Sequence, residues 1–192
     1  MRLFIGIPLP ATTTHDLEAV ADHLRSKTAS EGLLRWAAPE SWHITLQFLG
    51  TATPQQYECV AAHLREVHQP CISVEFGAIA IFDRAGVLFA DVRVTPQLVS
   101  LQQAVAAATT PCGFVPESRP YHPHITLARR RGKSGGRELR DLMLQIKGQP
   151  KIPSFTAGSF LLYESTPSPE GSRYERRKCF PLAGPVPENP SR

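Results

Sequence analysis

Short apolar runs and helical periodicities take turns along this chain. "RLFIGIPL" (2–9) predicts a buried strand ended by Pro10, and Thr12 to Thr14 offer N-caps for a helix with Leu17, Val20 and Leu24 on one face. "LLRW" (33–36) predicts a short strand, and "WHITLQFLG" (42–50) a longer one closed by Gly50. Thr53–Pro54 is a cap and first-turn pair for a helix carrying Tyr57, Val60, Leu64 and Val67. "ISVEFGAIAIF" (72–82) reads as one strand, turned at Asp83 to Gly86 into "VLFADVRV" (87–94). Pro96 opens a helix with Leu98, Leu101, Val105 and Ala108 on one face; "HITLARR" (124–130) is again a strand, followed by the basic, glycine-rich "RRRGKSGG" (129–136). Leu139, Leu142, Met143 and Ile146 mark a fourth amphipathic helix. "FTAGSFLLYES" (155–165) and "YERRKCFPL" (174–182) complete the strands, and the Pro-rich tail 183–192 is expected to fray.

Each half therefore reads strand, helix, HITL strand, helix, strand. Two copies in one order indicate an internal duplication rather than a solenoid. Side chains alternate on a strand, so Ile44 and Leu46 face a core while His43 and Thr45 face the other way; Ile125, Leu127, His124 and Thr126 repeat the arrangement. On the same count Phe48 falls on the core face and Arg129 points away from the polar one, unless twist or a bulge returns it at the strand end.

Composition adds little that is restrictive. The 192 residues are 42% hydrophobic and 20% charged, with net charge +4, which favours a polyanionic partner without requiring one. No apolar run approaches the roughly 18 residues of a membrane span. Cys59, Cys71, Cys112 and Cys179 form no CxxC pair, and "MRLFIGIPLP" reads as a strand rather than a leader, so the expectation is a cytoplasmic chain with reduced thiols.

The doubled polar pair carries the candidate chemistry. If the halves face each other about a pseudo-twofold axis, one cleft receives two imidazoles and two hydroxyls. An imidazole titrating near 6.5 can remove a proton from a nucleophile while its twin donates one to a leaving group. Threonine hydroxyls can hold the non-bridging oxygens of a phosphoryl group, and no metal is needed. A single HxT is more often ordinary strand packing; it is the matched second copy that favours function. A zinc reading on His122 and His124, with His43 as third ligand, leaves the twin threonines unexplained. Cys59 and His63 stand i,i+4 on a helix, but nothing nearby completes a site, and the pair reads as ordinary helix surface.

With FLG after the first motif and AR after the second, these residues resemble the 2H phosphoesterases. Among them the chain is similar to the RNA 2′,3′-cyclic phosphodiesterases, also called 2′-5′ RNA ligases, over nearly its whole length apart from the tail. The resemblance implies an α+β, bilobal fold: two antiparallel sheets facing a central cleft, helices outside. It implies one domain over 1–182, built from pseudo-repeats of about 1–82 and 86–165, with exchange of strands between them allowed. The implied activity is hydrolysis of a 2′,3′-cyclic phosphate to a 2′-phosphate without metal or other cofactor. His43 is then the proton donor and His124 the acceptor, with Thr45, Thr126 and Arg129 on the phosphate. Arg130 and the rim aromatic Tyr121 are further candidate contacts, whereas Trp42 reads as packing. The cluster Arg173, Arg176, Arg177 and Lys178 reads as a solvated strand edge. Expected partners are RNA ends or nucleotides bearing the cyclic phosphate, tRNA fragments among them, met by a monomer away from any membrane. The alternatives are 2′-5′ ligation, which is the reverse reaction, and a non-catalytic RNA-end or nucleotide-binding module.

Overall fold

The computed structural model describes residues 1–28, 32–132, 135–146, 151–168 and 171–184. In chain order the elements are β1 (Arg2–Pro8), α1 (Ala11–Arg25), β2 (Leu34–Trp36), β3 (His43–Thr51), α2 (Pro54–Leu64), β4 (Ile72–Val74), β5 (Phe76–Phe82), β6 (Val87–Val92), α3 (Pro96–Thr109), β7 (His124–Arg130), α4 (Gly135–Gln145), β8 (Phe155–Ala157), β9 (Ser159–Ser168) and β10 (Gly171–Pro181).

Two four-stranded sheets of antiparallel pairs result, ordered β10-β9-β1-β3 and β2-β7-β6-β5. The first takes β1 and β3 from the early half and β9 from the late half; the second takes β6 and β7 from the late half and β5 from the early one. Each HITL strand thus lies beside the first strand of its own half. Their surroundings differ: β3 is a sheet edge, whereas β7 is flanked on both sides.

The helices follow their apolar faces. Leu17 and Leu24 of α1, Tyr57, Val60 and Leu64 of α2, Leu98, Leu101 and Val105 of α3, and Leu139 and Leu142 of α4 are buried in one continuous core with Ile44, Leu46, Ile125 and Leu127. Thr53 and Gln56 cap α2 reciprocally: the Thr53 hydroxyl accepts from the Gln56 amide (3.1 Å), and the Gln56 side chain accepts from the Thr53 amide (3.0 Å). At α1 the expected threonine caps are absent. Pro10 is the N-cap residue, and Thr14 lies inside the helix donating to the Pro10 carbonyl at 3.0 Å.

Two predicted strands are each two strands. The run 72–82 breaks at Glu75, whose carbonyl accepts from Arg93 at 2.8 Å, and 155–165 breaks at Gly158, whose carbonyl accepts from Leu182 at 2.9 Å. The detached pieces β4 and β8 pair with each other as a separate antiparallel ribbon (Ile72↔Ala157, Val74↔Phe155). Gly135 and Gly136 belong to the first turn of α4 rather than to a loop, while Lys133 and tail residues 185–192 lie outside the described residues. Reduced thiols are not what is found throughout: Cys59 and Cys112, 53 residues apart, are joined by a disulfide, and Cys71 and Cys179 are free. Among the described residues no helix is long and apolar enough to cross a membrane.

Candidate active site

The site begins with the backbone just ahead of each HITL strand. His43 Nδ1 lies 2.7 Å from the Ser41 carbonyl, and His124 Nδ1 lies 2.8 Å from the His122 carbonyl. A carbonyl can only accept, so Nδ1 carries the hydrogen in both rings and Nε2 is left to exchange protons. The same i−2 bond in both halves gives the two imidazoles the same tautomer.

A bulge then sits at the same place in both strands. Ile5 pairs with Gln47 and Gly6 with Thr45, so Leu46 is an extra residue; Leu88 pairs with Ala128 and Phe89 with Thr126, so Leu127 is extra. Leu46 and Gln47 therefore both turn to the core, as do Leu127 and Ala128, and strict alternation is lost. Gln47, only 5% exposed, accepts a hydrogen bond from the Thr109 hydroxyl at 2.9 Å. Beyond the bulge the side chains reverse faces. Phe48 is not on the core face; it is 73% exposed and lines a pocket with Arg129, which the second bulge returns to the His124 face.

That pocket has a volume of about 340 Å³, and it brings together His43, Thr45, His124, Thr126 and Arg129. A volume of this order suits a nucleotide-sized ligand. Arg35, which pairs with Arg129 across β2 and β7, and Arg173 add cationic groups. No described residue of the lining is a carboxylate or a thiol. The arrangement can hold an anion between two proton-exchanging nitrogens, and it offers nothing that favours a hard cation.

The two imidazoles differ in their surroundings. His43 is packed by Phe4 (ring centroids 4.5 Å), Tyr174 (5.2 Å, edge-on) and Tyr163 (5.7 Å). Gly6 makes room for it: a side chain there would start 3.2 Å from His43 Cδ2 and 2.9 Å from the Ile44 carbonyl. Burial pushes the His43 pKa down to about 4; the Ser41 carbonyl opposes the shift, and charge on His124 adds to it. His124 meets the rings of Phe82 (5.0 Å) and Phe89 (5.3 Å). Burial lowers its pKa too, with the His122 carbonyl opposing, His122 and Arg129 adding, and Asp91 opposing.

The other sequence candidates divide between the pocket and its surroundings. The Tyr121 hydroxyl donates to the Thr45 carbonyl at 3.1 Å and the ring packs on the core, so it supports the strand rather than forming a rim. Arg130 turns the other way, donating to the Arg84 carbonyl at 3.2 Å. Trp42 is 6% exposed and packs in the core, and it also lines the pocket beside His43. His122 bonds Asp91 at 3.0 Å and does not line the pocket, and it belongs to no cluster with metal-binding geometry among the described residues. The basic cluster divides. Arg173 lines the pocket, whereas Arg177 bridges Glu175 (2.9 Å) and Glu164 (3.7 Å), and Lys178 lies 3.9 Å from Glu58.

Sequence reasoning missed Phe48, Trp36, Arg35 and Tyr174. For Phe48 one signal was available: it follows His43 by the same interval as Arg129 follows His124.

The sequence profile of the 2'-5' RNA ligase superfamily matches residues 13–166. An RNA 2',3'-cyclic phosphodiesterase of Bacillus subtilis is 33% identical over 135 residues, 66% of this chain and 70% of that protein. Another of Aeropyrum pernix is 27% identical over 157 residues, 79% of this chain and 89% of that protein. The crystal structure of E. coli LigT complexed with 3'-AMP superimposes with a TM-score of 0.77 at 25% identity, covering 95% of this chain and 98% of that one. Doubled HxT strands, two facing sheets and a profile match over most of the sequence agree, and the chain belongs to the 2'-5' RNA ligase superfamily of 2H phosphoesterases.

Proposed function

We propose that this protein hydrolyses the 2′,3′-cyclic phosphate of RNA ends or nucleotides to a 2′-phosphate without a metal ion. Its enzymatic class follows that of its relatives, which are RNA 2',3'-cyclic phosphodiesterases. The observation that carries the reading is one pocket lined by two imidazoles, each anchored through Nδ1, and by two threonines.

His124 Nε2 accepts a proton from the attacking water, and the new bond forms from that oxygen to phosphorus. The P–O3′ bond breaks, and O3′ takes the proton held on His43 Nε2. The turnover leaves His124 charged and His43 neutral, and exchange with solvent restores both. Thr45 and Thr126 donate to the non-bridging oxygens, and Arg129, with Arg35 and Arg173 nearby, balances the phosphate charge. The anion also raises the proton affinity of His43, offsetting the burial that holds it neutral in the empty site. Phe48, an exposed phenyl group at the pocket, supplies a face on which a base can stack.

The catalytic unit in this reading is the single bilobal domain over 1–182, with β5 and β9 exchanged between related halves. Each group named lies in one chain, which supports action as a monomer. A cytoplasmic setting and tRNA fragments as one source of ends belong to the same reading. Ligation is the same proton traffic in the same direction, with an RNA 5′-hydroxyl replacing water as the nucleophile and a 2′-5′ linkage as the product.

The test is turnover of a 2′,3′-cyclic mononucleotide in excess chelator, followed by phosphorus NMR. The expected product is the 2′-phosphate. A 3′-phosphate would exchange the parts of His43 and His124, loss of turnover in chelator would overturn the metal-free reading, and binding without turnover would leave a binding module.

A further inference from the structure

On α2, remote in sequence from both HITL strands, Cys59 and His63 stand one helical turn apart on the same face. The short turn Thr110–Cys112 after α3 brings Cys112 against them. The ligand atoms of Cys59, His63 and Cys112 all lie within 4.8 Å of one another, the one such group among the described residues. None of the three lines the catalytic pocket.

We propose that these three residues form a zinc-type site in the reduced protein, selective for thiophilic divalent cations and closed when the disulfide forms. His63 Nδ1 lies 3.7 Å from both Cys59 Sγ and Cys112 Sγ. With Zn–S of about 2.3 Å and Zn–N of about 2.0–2.1 Å, the sulfur–nitrogen edge of a tetrahedral site is about 3.6 Å. Two edges of the ligand triangle therefore already have nearly the required length. Only the sulfur–sulfur edge must open, from a covalent bond to about 3.8 Å.

The opening step balances with a thiol reductant. Two electrons from two external thiols cleave the Cys59–Cys112 bond, the reductant leaves as its disulfide, and two cysteine thiols remain. Each loses a proton on binding the cation. The His63 proton must then reside on Nε2, so the 3.0 Å contact of Nδ1 with the Cys59 carbonyl gives way to the metal. That carbonyl loses no helical partner by this change.

The triangle does not depend on the disulfide to hold it together. Gln56 Nε2 donates to the Cys112 carbonyl at 3.3 Å, tying the turn to α2, and Val60 and Leu64 of α2 share one core with Leu101 and Val105 of α3. Cys112 is buried, Cys59 half-buried and His63 exposed, so a fourth position opens toward solvent for water or an external ligand. Carboxylates are absent from the triangle, and the soft donor set favours zinc or cobalt over magnesium.

The test uses the full chain with Cys71→Ser and Cys179→Ser, so that the remaining thiols are those of the site. After reduction with a phosphine and its removal under anaerobic conditions, cobalt(II) is titrated in. One equivalent should give sulfur-to-cobalt charge-transfer bands and the visible bands of tetrahedral cobalt, and zinc should abolish both. The oxidised protein should show neither. His63→Ala and Cys112→Ser should each weaken cobalt binding at least tenfold. Turnover of cyclic nucleotide by His63→Ala in chelator should match that of the parent chain, which confirms folding and separates this site from the catalytic one. A reduced protein without thiolate–cobalt bands would overturn the proposal, as would binding unchanged by His63→Ala.

Discussion

β3 and β7 carry the same four letters and the same bulge, yet they place them in unlike settings. β3 ends its sheet, and β7 lies between β2 and β6. His43 sits among Phe4, Tyr163 and Tyr174, whereas His124 has Phe82, Phe89 and, through His122, the Asp91 carboxylate nearby. After the bulge the first strand presents a phenyl group and the second a guanidinium. The repeated letters fix where the two imidazoles and the two threonines stand. Their neighbours decide how tightly each ring holds a proton and, in the proposed mechanism, which part of a nucleotide each side receives.

The largest expected effect removes the shared part. His43→Ala and His124→Ala should each lower kcat by about 10²–10⁴-fold, with unfolding temperature and circular dichroism close to the parent's. Thr45→Val and Thr126→Val should follow at about 10²–10³-fold, again in kcat. If one member of either pair retained parental turnover, the two strands would not act as a pair.

The next effect concerns proton affinity. In the proposed mechanism the productive free enzyme carries one proton between His43 and His124, so kcat/KM should be bell-shaped. Falling pH protonates both rings and removes the base; the acid limb lies near the His43 value of about 4. Rising pH strips the last proton, and since His124 is also lowered, the alkaline limb lies below the ordinary 6.5. The two limbs belong to the coupled pair rather than to either ring. Bound phosphate should move the alkaline limb of kcat upward. A monotonic kcat/KM profile would mean that a single group titrates.

After the bulge the strands should part company. Phe48→Ala should raise KM for base-bearing substrates by about tenfold, in line with stacking of about 1–3 kcal/mol per base, and Phe48→Trp should restore it. Arg129→Gln should weaken oligonucleotide binding regardless of base and reduce the salt slope by about one. Equal base dependence in both variants would erase the proposed polarity of the cleft.

This polarity marks the limit of what was legible in the sequence. The HITL strands, the helix faces of Leu17, Val60, Leu101 and Leu139, and the Thr53 cap all rest on local patterns, and each is found in the fold. A bulge leaves no mark on an apolar run, so alternation carried Phe48 to the wrong face and left Arg129 in need of a correction. The breaks at Glu75 and Gly158 were equally hidden, because apolar residues continue on both sides while the partners of β4 and β8 are each other. Cys112 and Tyr121 escaped for a different reason. Their roles depend on contacts with Cys59 and with the Thr45 carbonyl, which chain proximity does not reveal.

Tyr121 offers the smallest test and the most discriminating one. β7 is paired on both flanks, and even beyond β2 the Ala37 amide donates to the Leu127 carbonyl at 2.8 Å. β3 has β1 on one side only, and on the other the Tyr121 hydroxyl meets the Thr45 carbonyl at 3.1 Å. The hydroxyl thus gives the edge strand a partner that β7 obtains from its sheet. Tyr121→Phe keeps the packed ring and removes only that donor, which should cost about 0.5–1.5 kcal/mol of stability, read as a lower urea midpoint with an unchanged slope. With Thr45 less firmly held, kcat should fall a few-fold while KM stays put. A raised KM with unchanged stability would instead place Tyr121 on the substrate, and the edge of β3 would then need another explanation for its order.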